Sequence, residues 1–190
     1  MQTPQPDAVP AEALSVFDML KIGVGPSSSH TLGPWRAVQR WLGELKEGVL
    51  LEDVVHVRVH LYGSLALTGR GHCTDQAVML ALLGFDPVTI EVEQIESLVA
   101  GLRERRVLEV AGRPVAFDPE TDIVFHGSER LPGHANGMAC EAVLEDGTLR
   151  RAVYYSVGGG FVVAEGEARA QAQTVRLPHP AQVPAEMLAH

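Results

Sequence analysis

GMACEAVLEDGTLRRAVYYSV, residues 137–157, holds two β-rich runs, GMACEAVL and TLRRAVYYSV, on either side of Asp146-Gly147. Asp-Gly tolerates the positive φ angles of a tight turn, so the segment predicts an antiparallel hairpin. Further short β-rich runs flank it: VLEV, RPVAF and DIVF before, GFVV after. Earlier still, in VVHVRVHLY, residues 54–62, Val55, Val57, Val59 and Leu61 alternate with His56, Arg58 and His60. That period of two predicts a strand with one covered face.

The remaining periodic segments are helical. Trp35, Val38, Leu42 and Leu45 recur at helical spacing over 34–45, opposite Arg36, Gln39 and Arg40. A second helix is expected from Thr74, read as its cap, to Leu83, with Gly84 as its stop. A third spans 95–105, where Ile95, Leu98, Val99 and Leu102 form a stripe. Helices early and antiparallel strands late predict an α+β fold, an antiparallel sheet covered by helices.

Residues 1–12, with Pro4, Pro6 and Pro10, give a core nothing to bury and read as a flexible tail. One domain is expected over 13–166, opening with a short helix capped by Ser15. Residues 167–190, with Pro178, Pro180 and Pro184, read as a linker whose last helix stops almost as it starts, as though more sequence follows. A net charge of -9 and a pI near 5.3 argue against a nucleic-acid partner. Cys73 and Cys140, far apart in apolar or Gly-rich surroundings, indicate neither a disulfide framework nor a metal-ligand pair. No apolar run reaches the roughly 20 residues that span a bilayer, and the N-terminus lacks the pattern of a signal peptide, so the chain reads as a cytoplasmic protein without a membrane partner.

Three segments carry residues suited to chemistry. In GPSSSHTLGP, Ser27, Ser28, Ser29 and Thr31 place four hydroxyls ahead of a helix, among glycines that expose backbone N–H groups. Such a site suits a carboxylate or phosphate; the same residues also suit plain helix capping. His30, inside the loop, is either a donor or proton shuttle or a structural histidine. In GRGHCTD, His72 stands three residues before Asp75, which is placed to fix its tautomer; the alternative is a surface histidine before two capping residues. LPGHANG offers His134 and Asn136, although Asn136-Gly137 is first of all a turn. Gly158-Gly159-Gly160 lacks the Lys-Ser/Thr ending of a phosphate loop and reads as a bend between strands. A Ser-His-Asp hydrolase is disfavoured: there is no G-x-S-x-G elbow, and adjacent Ser29 and His30 are expected to point apart.

Read together, SVFDMLKIGVGPSSSHTLGPWRA, YGSLALTGRGHCTDQAV, LPGHANGM and YYSVGGGFVV closely resemble the β domain of bacterial iron-sulfur-dependent L-serine dehydratases, from about Leu14 onward. The fold is also similar to the small-molecule regulatory domain of some phosphoglycerate dehydrogenases. The resemblance implies a two-part active site that turns L-serine into pyruvate and ammonia, with a four-iron four-sulfur cluster on an absent α domain and no metal on this chain. It implies that Ser28, Ser29, His30 and Thr31 hold the substrate carboxylate, that His72 and His30 are the catalytic candidates, and that His134 and Asn136 line the same pocket. Cys73 stands beside His72 where some relatives carry a second histidine. The implied partners are L-serine, the α domain, and further copies in a homo-oligomer; this chain alone is expected to be inactive. A non-catalytic module that binds serine or another small anion is the alternative, since the serine loop serves both.

Overall fold

A computed structural model of the chain describes residues 27–48 and 51–167. The readings of a tail over 1–12, a helix at Ser15 and a linker past Glu167 lie outside these residues. A wide π-type turn over Ser28–Leu32 opens directly into helix α1, Gly33–Gly48. Strand β1, Val54–Tyr62, is followed by the short helix α2, Ser64–Thr68, and a 3-10 turn over Gly69–His72. Helices α3, Thr74–Leu82, and α4, Val92–Arg105, precede the hairpin of β2, Val107–Val110, and β3, Arg113–Ala116. A single turn, α5, Pro119–Asp122, leads into β4, Ile123–His126; β5, Gly137–Leu144, β6, Leu149–Gly158, and β7, Phe161–Ala164, complete the described chain.

The main sheet has the order β4-β1-β5-β6-β7, and β2-β3 is a separate pair. The α+β class is as expected, with one refinement. All neighbours in the main sheet are antiparallel except β1 and β4, which run parallel, so the sheet is mixed. Parallel neighbours need a long crossover, and here α3, α4 and the β2–β3 hairpin supply it. The predicted Asp146-Gly147 hairpin joins β5 to β6: Gly147 has φ 82°, and the Asp146 carboxylate accepts the Thr148 N–H at 2.8 Å.

Helix α1 lays Trp35, Val38, Trp41 and Leu45 into the core against β6, β7 and α3. The Trp35 ring is fully buried, and its N–H donates to the Phe85 carbonyl at 2.9 Å, which meets the usual need of a buried indole. On β1, Val57, Val59 and Leu61 face the helices and lie opposite Ala142, Cys140 and Met138 of β5. A bulge between Val54 and His56 shifts the alternation at the start of the strand, so Val54 is buried and Val55 exposed, against expectation. On the other face the alternating polar residues are paired with neighbours. His60 lies 2.9 Å from His126 and 3.1 Å from Glu141, while His56 contacts Asp122 at 3.0 Å.

Candidate active site

Three loops meet at one end of the sheet, where β1, β4 and β6 finish and β5 begins. The serine loop comes first. Ser27 is its cap: its hydroxyl accepts the His30 N–H at 3.3 Å, and its carbonyl accepts the Thr31 N–H at 2.8 Å. The capping alternative therefore holds for Ser27. It does not hold for Ser28, which is exposed and forms no side-chain hydrogen bond among the described residues, or for Ser29, whose hydroxyl lies 2.9 Å from His30 Nδ1. The expectation that adjacent Ser29 and His30 point apart is overturned, because the wide π-type turn brings their side chains together. A triad still does not follow, since the other ring nitrogen of His30 meets the Ser64 hydroxyl at 2.9 Å, not a carboxylate.

The second loop is cross-linked to the first by an exchange of threonines. Thr31 Oγ1 donates to the His72 carbonyl at 2.8 Å, and Thr74 Oγ1 donates to the His30 carbonyl at 2.5 Å. Thr74 is thus no helix cap; Cys73, in the left-handed region at φ 57°, holds that position. Thr31 is buried with its proton spent on a backbone carbonyl, so its hydroxyl has none left to donate to a substrate carboxylate. Asp75 does not set the His72 tautomer either, because it is bound by Arg103 at 3.0 Å. Instead His72 Nδ1 donates to the Thr68 carbonyl at 2.9 Å, which leaves Nε2 of the neutral ring as an acceptor.

The two imidazoles are neighbours, with ring centroids 4.9 Å apart. Burial holds the His30 pKa below the ordinary imidazole value; repulsion from His72 acts in the same direction, and the backbone of Ser64 opposes both. His30 is therefore a neutral ring between two hydroxyls, beside a second ring with a free acceptor nitrogen.

The third loop, residues 127–136, is stitched to the end of β1: Gly63 N–H donates to the Glu129 carbonyl and Ser64 N–H to the Ala135 carbonyl, both at 2.9 Å. His134 on this loop is exposed, and its Nδ1 accepts the Asn136 N–H at 3.1 Å. Among the described residues no hydrogen bond or ring contact joins His134 to His30 or His72. Asn136 is buried, and its amide donates to the Ser156 carbonyl at 3.2 Å, so it braces the loop. Asn136-Gly137 is not the turn it resembled, since Gly137 already belongs to β5. Gly158–Gly160 does form the bend between β6 and β7, all three with positive φ.

Two residues at the site were missed by sequence reasoning. Ser156, at the end of β6, donates its hydroxyl to the Ser29 carbonyl at 2.8 Å. Ser64 completes the surroundings of His30. Neither lies in a polar cluster, although both fall inside quoted motifs, Ser64 in YGSLALTGRGHCTDQAV and Ser156 in YYSVGGGFVV; a further hint is the Tyr62-Gly63-Ser64 step directly after a strand, where a glycine permits a backbone closed to other residues. Gly63 has φ 54° and ψ -125°, and a Cβ there would stand 2.4 Å from the Ala135 oxygen.

The chain is an α+β domain with one exposed and two half-buried serines beside a pair of imidazoles at the loop end of its sheet. Comparison with known proteins narrows the class. A model of the serine dehydratase beta chain matches residues 15–167. The chain is 41% identical over 180 residues to L-serine dehydratase 1 of Escherichia coli K12, covering 93% of this chain and 39% of that protein. It is 46% identical over 155 residues to the L-serine dehydratase of Streptomyces coelicolor, covering 80% and 34%, and 43% identical over 153 residues to that of Mycobacterium bovis, covering 80% and 33%. The chain belongs to the serine dehydratase beta chain family. It spans between about a third and two fifths of the length of these relatives.

Proposed function

We propose that this chain supplies the substrate-binding half of an L-serine dehydratase, the enzyme that removes water from L-serine to give pyruvate and ammonia. The observation that carries this reading is the meeting of Ser29, His30 and His72, with Ser28 exposed beside Ser29, in a chain whose relatives are named L-serine dehydratases. The hydroxyls of Ser28 and Ser29 are donors for the substrate carboxylate. Thr31, reassigned by its buried hydrogen bond, holds the two loops in register.

His72 Nε2 is the acceptor for the α-proton. As that proton leaves, the electron pair of the Cα–H bond forms the Cα–Cβ double bond and the β-hydroxyl departs, to leave as water once protonated. The enamine product tautomerises and hydrolyses to pyruvate and ammonia. A general base in hydrogen-bond reach contributes on the order of 10²–10⁴-fold to such a step.

The four-iron four-sulfur cluster implied by the family does not fit this chain. Such a cluster needs at least three thiolates, and the sequence holds two cysteines. Of these, Cys140 is fully buried in the core, which pushes its thiol pKa up, far from Cys73 in the sequence. A separate cluster-bearing α domain is the partner we propose, and no step above is assigned to its groups.

The test is reconstitution. Purified chain mixed with the α domain, its cluster rebuilt anaerobically, is expected to release pyruvate from L-serine, whereas either part alone is not. Persistent inactivity of the mixture, with serine still bound by this chain, would replace the proposal with the regulatory-module alternative.

A further inference from the structure

Ser64 lies within the YGSLALTGRGHCTDQAV motif but was assigned no role there, and it faces the second ring nitrogen of His30. Two hydroxyls face the two nitrogens of one ring: Ser29 Oγ lies 2.9 Å from Nδ1 and Ser64 Oγ lies 2.9 Å from Nε2. A neutral imidazole carries one proton, so one nitrogen donates and the other accepts. Fixing the direction of one of these hydrogen bonds therefore fixes the other.

The two directions are not equivalent for a carboxylate ligand. Were Nε2–H to donate to Ser64, Ser29 would spend its only proton on bare Nδ1 and offer the carboxylate nothing but lone pairs. Were Ser64 to donate to Nε2 instead, Nδ1–H would donate to Ser29 Oγ, and the Ser29 proton would be free to point at the ligand. Without ligand that proton has an acceptor in Ser27 Oγ at 3.3 Å.

Ser64 is built to hold its place. Its N–H donates to the Ala135 carbonyl at 2.9 Å, its carbonyl accepts from the Thr68 hydroxyl at 3.0 Å, and Gly63 before it occupies backbone that only glycine adopts readily. The burial and the nearby His72 that keep His30 unprotonated make its tautomer the variable that matters.

We propose that Ser64 is a positioning residue: it donates its hydroxyl proton to His30 Nε2, holds the ring in the Nδ1–H tautomer and so makes Ser29 a donor to the substrate carboxylate. The second half of this statement rests on the carboxylate reading of Ser29 given above; the first half does not.

The tautomer is read directly by ¹⁵N NMR of the imidazoles in the labelled full chain, at about pH 8, well above the ordinary histidine pKa. His30 is expected to be protonated at Nδ1 in the native chain and to shift toward Nε2–H in Ser64→Ala, and Ser64→Thr is expected to restore Nδ1–H. In the reconstituted enzyme Ser64→Ala is expected to raise KM for L-serine about tenfold, the effect of losing one hydrogen bond to a charged group, with a smaller change in kcat. Adding Ser64→Ala to Ser29→Ala should then cost nothing further. An Nε2–H ring in the native chain, or a tautomer indifferent to Ser64→Ala, would overturn the positioning role. A tautomer that shifts while KM stays put would instead sink the carboxylate reading of Ser29.

Discussion

His30 and His72 differ in what their ring nitrogens already hold, and their proposed roles follow from that. The Nδ1 of His72 is committed to the Thr68 carbonyl and its Nε2 is open; both nitrogens of His30 are taken by serines. An asparagine at position 72 retains a donor for the Thr68 carbonyl but removes the base. His72→Asn is therefore expected to lower kcat of the reconstituted enzyme by about 10²–10⁴-fold while leaving the melting temperature of the chain nearly unchanged. At this scale the sequence was partly legible. Hydroxyls and an imidazole crowded into residues 27–31 mark a polar site, and the structure does bring His30 and His72 together. The tie between the loops, the setting of the His30 ring and the hold on the Ser29 carbonyl are decided by hydrogen bonds to distant residues, His72, Ser64 and Ser156. Spacing along the chain carries no record of these.

Among elements, α1 and the strand ends locate the site. Gly33, where the serine loop becomes α1, is packed so closely that a Cβ there would lie 2.0 Å from Ser156 Oγ, the group that holds the Ser29 carbonyl. Gly33→Ala must push β6 or α1 aside; a destabilisation of about 1–3 kcal/mol is expected, seen as a lower midpoint in urea unfolding. The Thr31–Thr74 exchange joins the serine loop to the start of α3. Thr74→Val keeps the shape of the buried residue but abandons the His30 carbonyl. The loss of stability should be near 1 kcal/mol, and turnover should fall by more than that loss explains, because the released carbonyl lies on the backbone that carries the His30 ring. The three longer helices and β1 were legible from periodicity and the short strands from β-rich composition, while the short helices α2 and α5 were not. The parallel pairing of β4 with β1 was not, because four-residue strands look alike in sequence whichever way they run.

For the whole molecule, pH is the lever that the sheet and the site share. The pKa values of His30 and His60 are both held below the ordinary value of 6.5, and in each case burial is the largest cause. Such groups stay neutral in the folded chain while the unfolded chain takes up protons as pH falls through 6.5. The stability they contribute is therefore complete above that pH and is lost as pH drops toward their lowered folded values. Unfolding free energy is expected to decline over this acid window, and the His60→Gln variant should show a shallower decline, measured by denaturant titration at a series of pH values. The net charge of -9, the two cysteines, the α+β order of elements and the family motifs are all properties of composition and local pattern. They could be read without a structure, because each depends on residues close together in the chain. The mixed sheet, the π-type turn that sets Ser29 against His30 and the contact of Ser64 with His30 came only from the tertiary structure. The sheet order and the Ser64 contact arise where packing brings distant residues together; the turn is local, but its loop is tied to distant residues through Thr31–His72 and Ser156–Ser29.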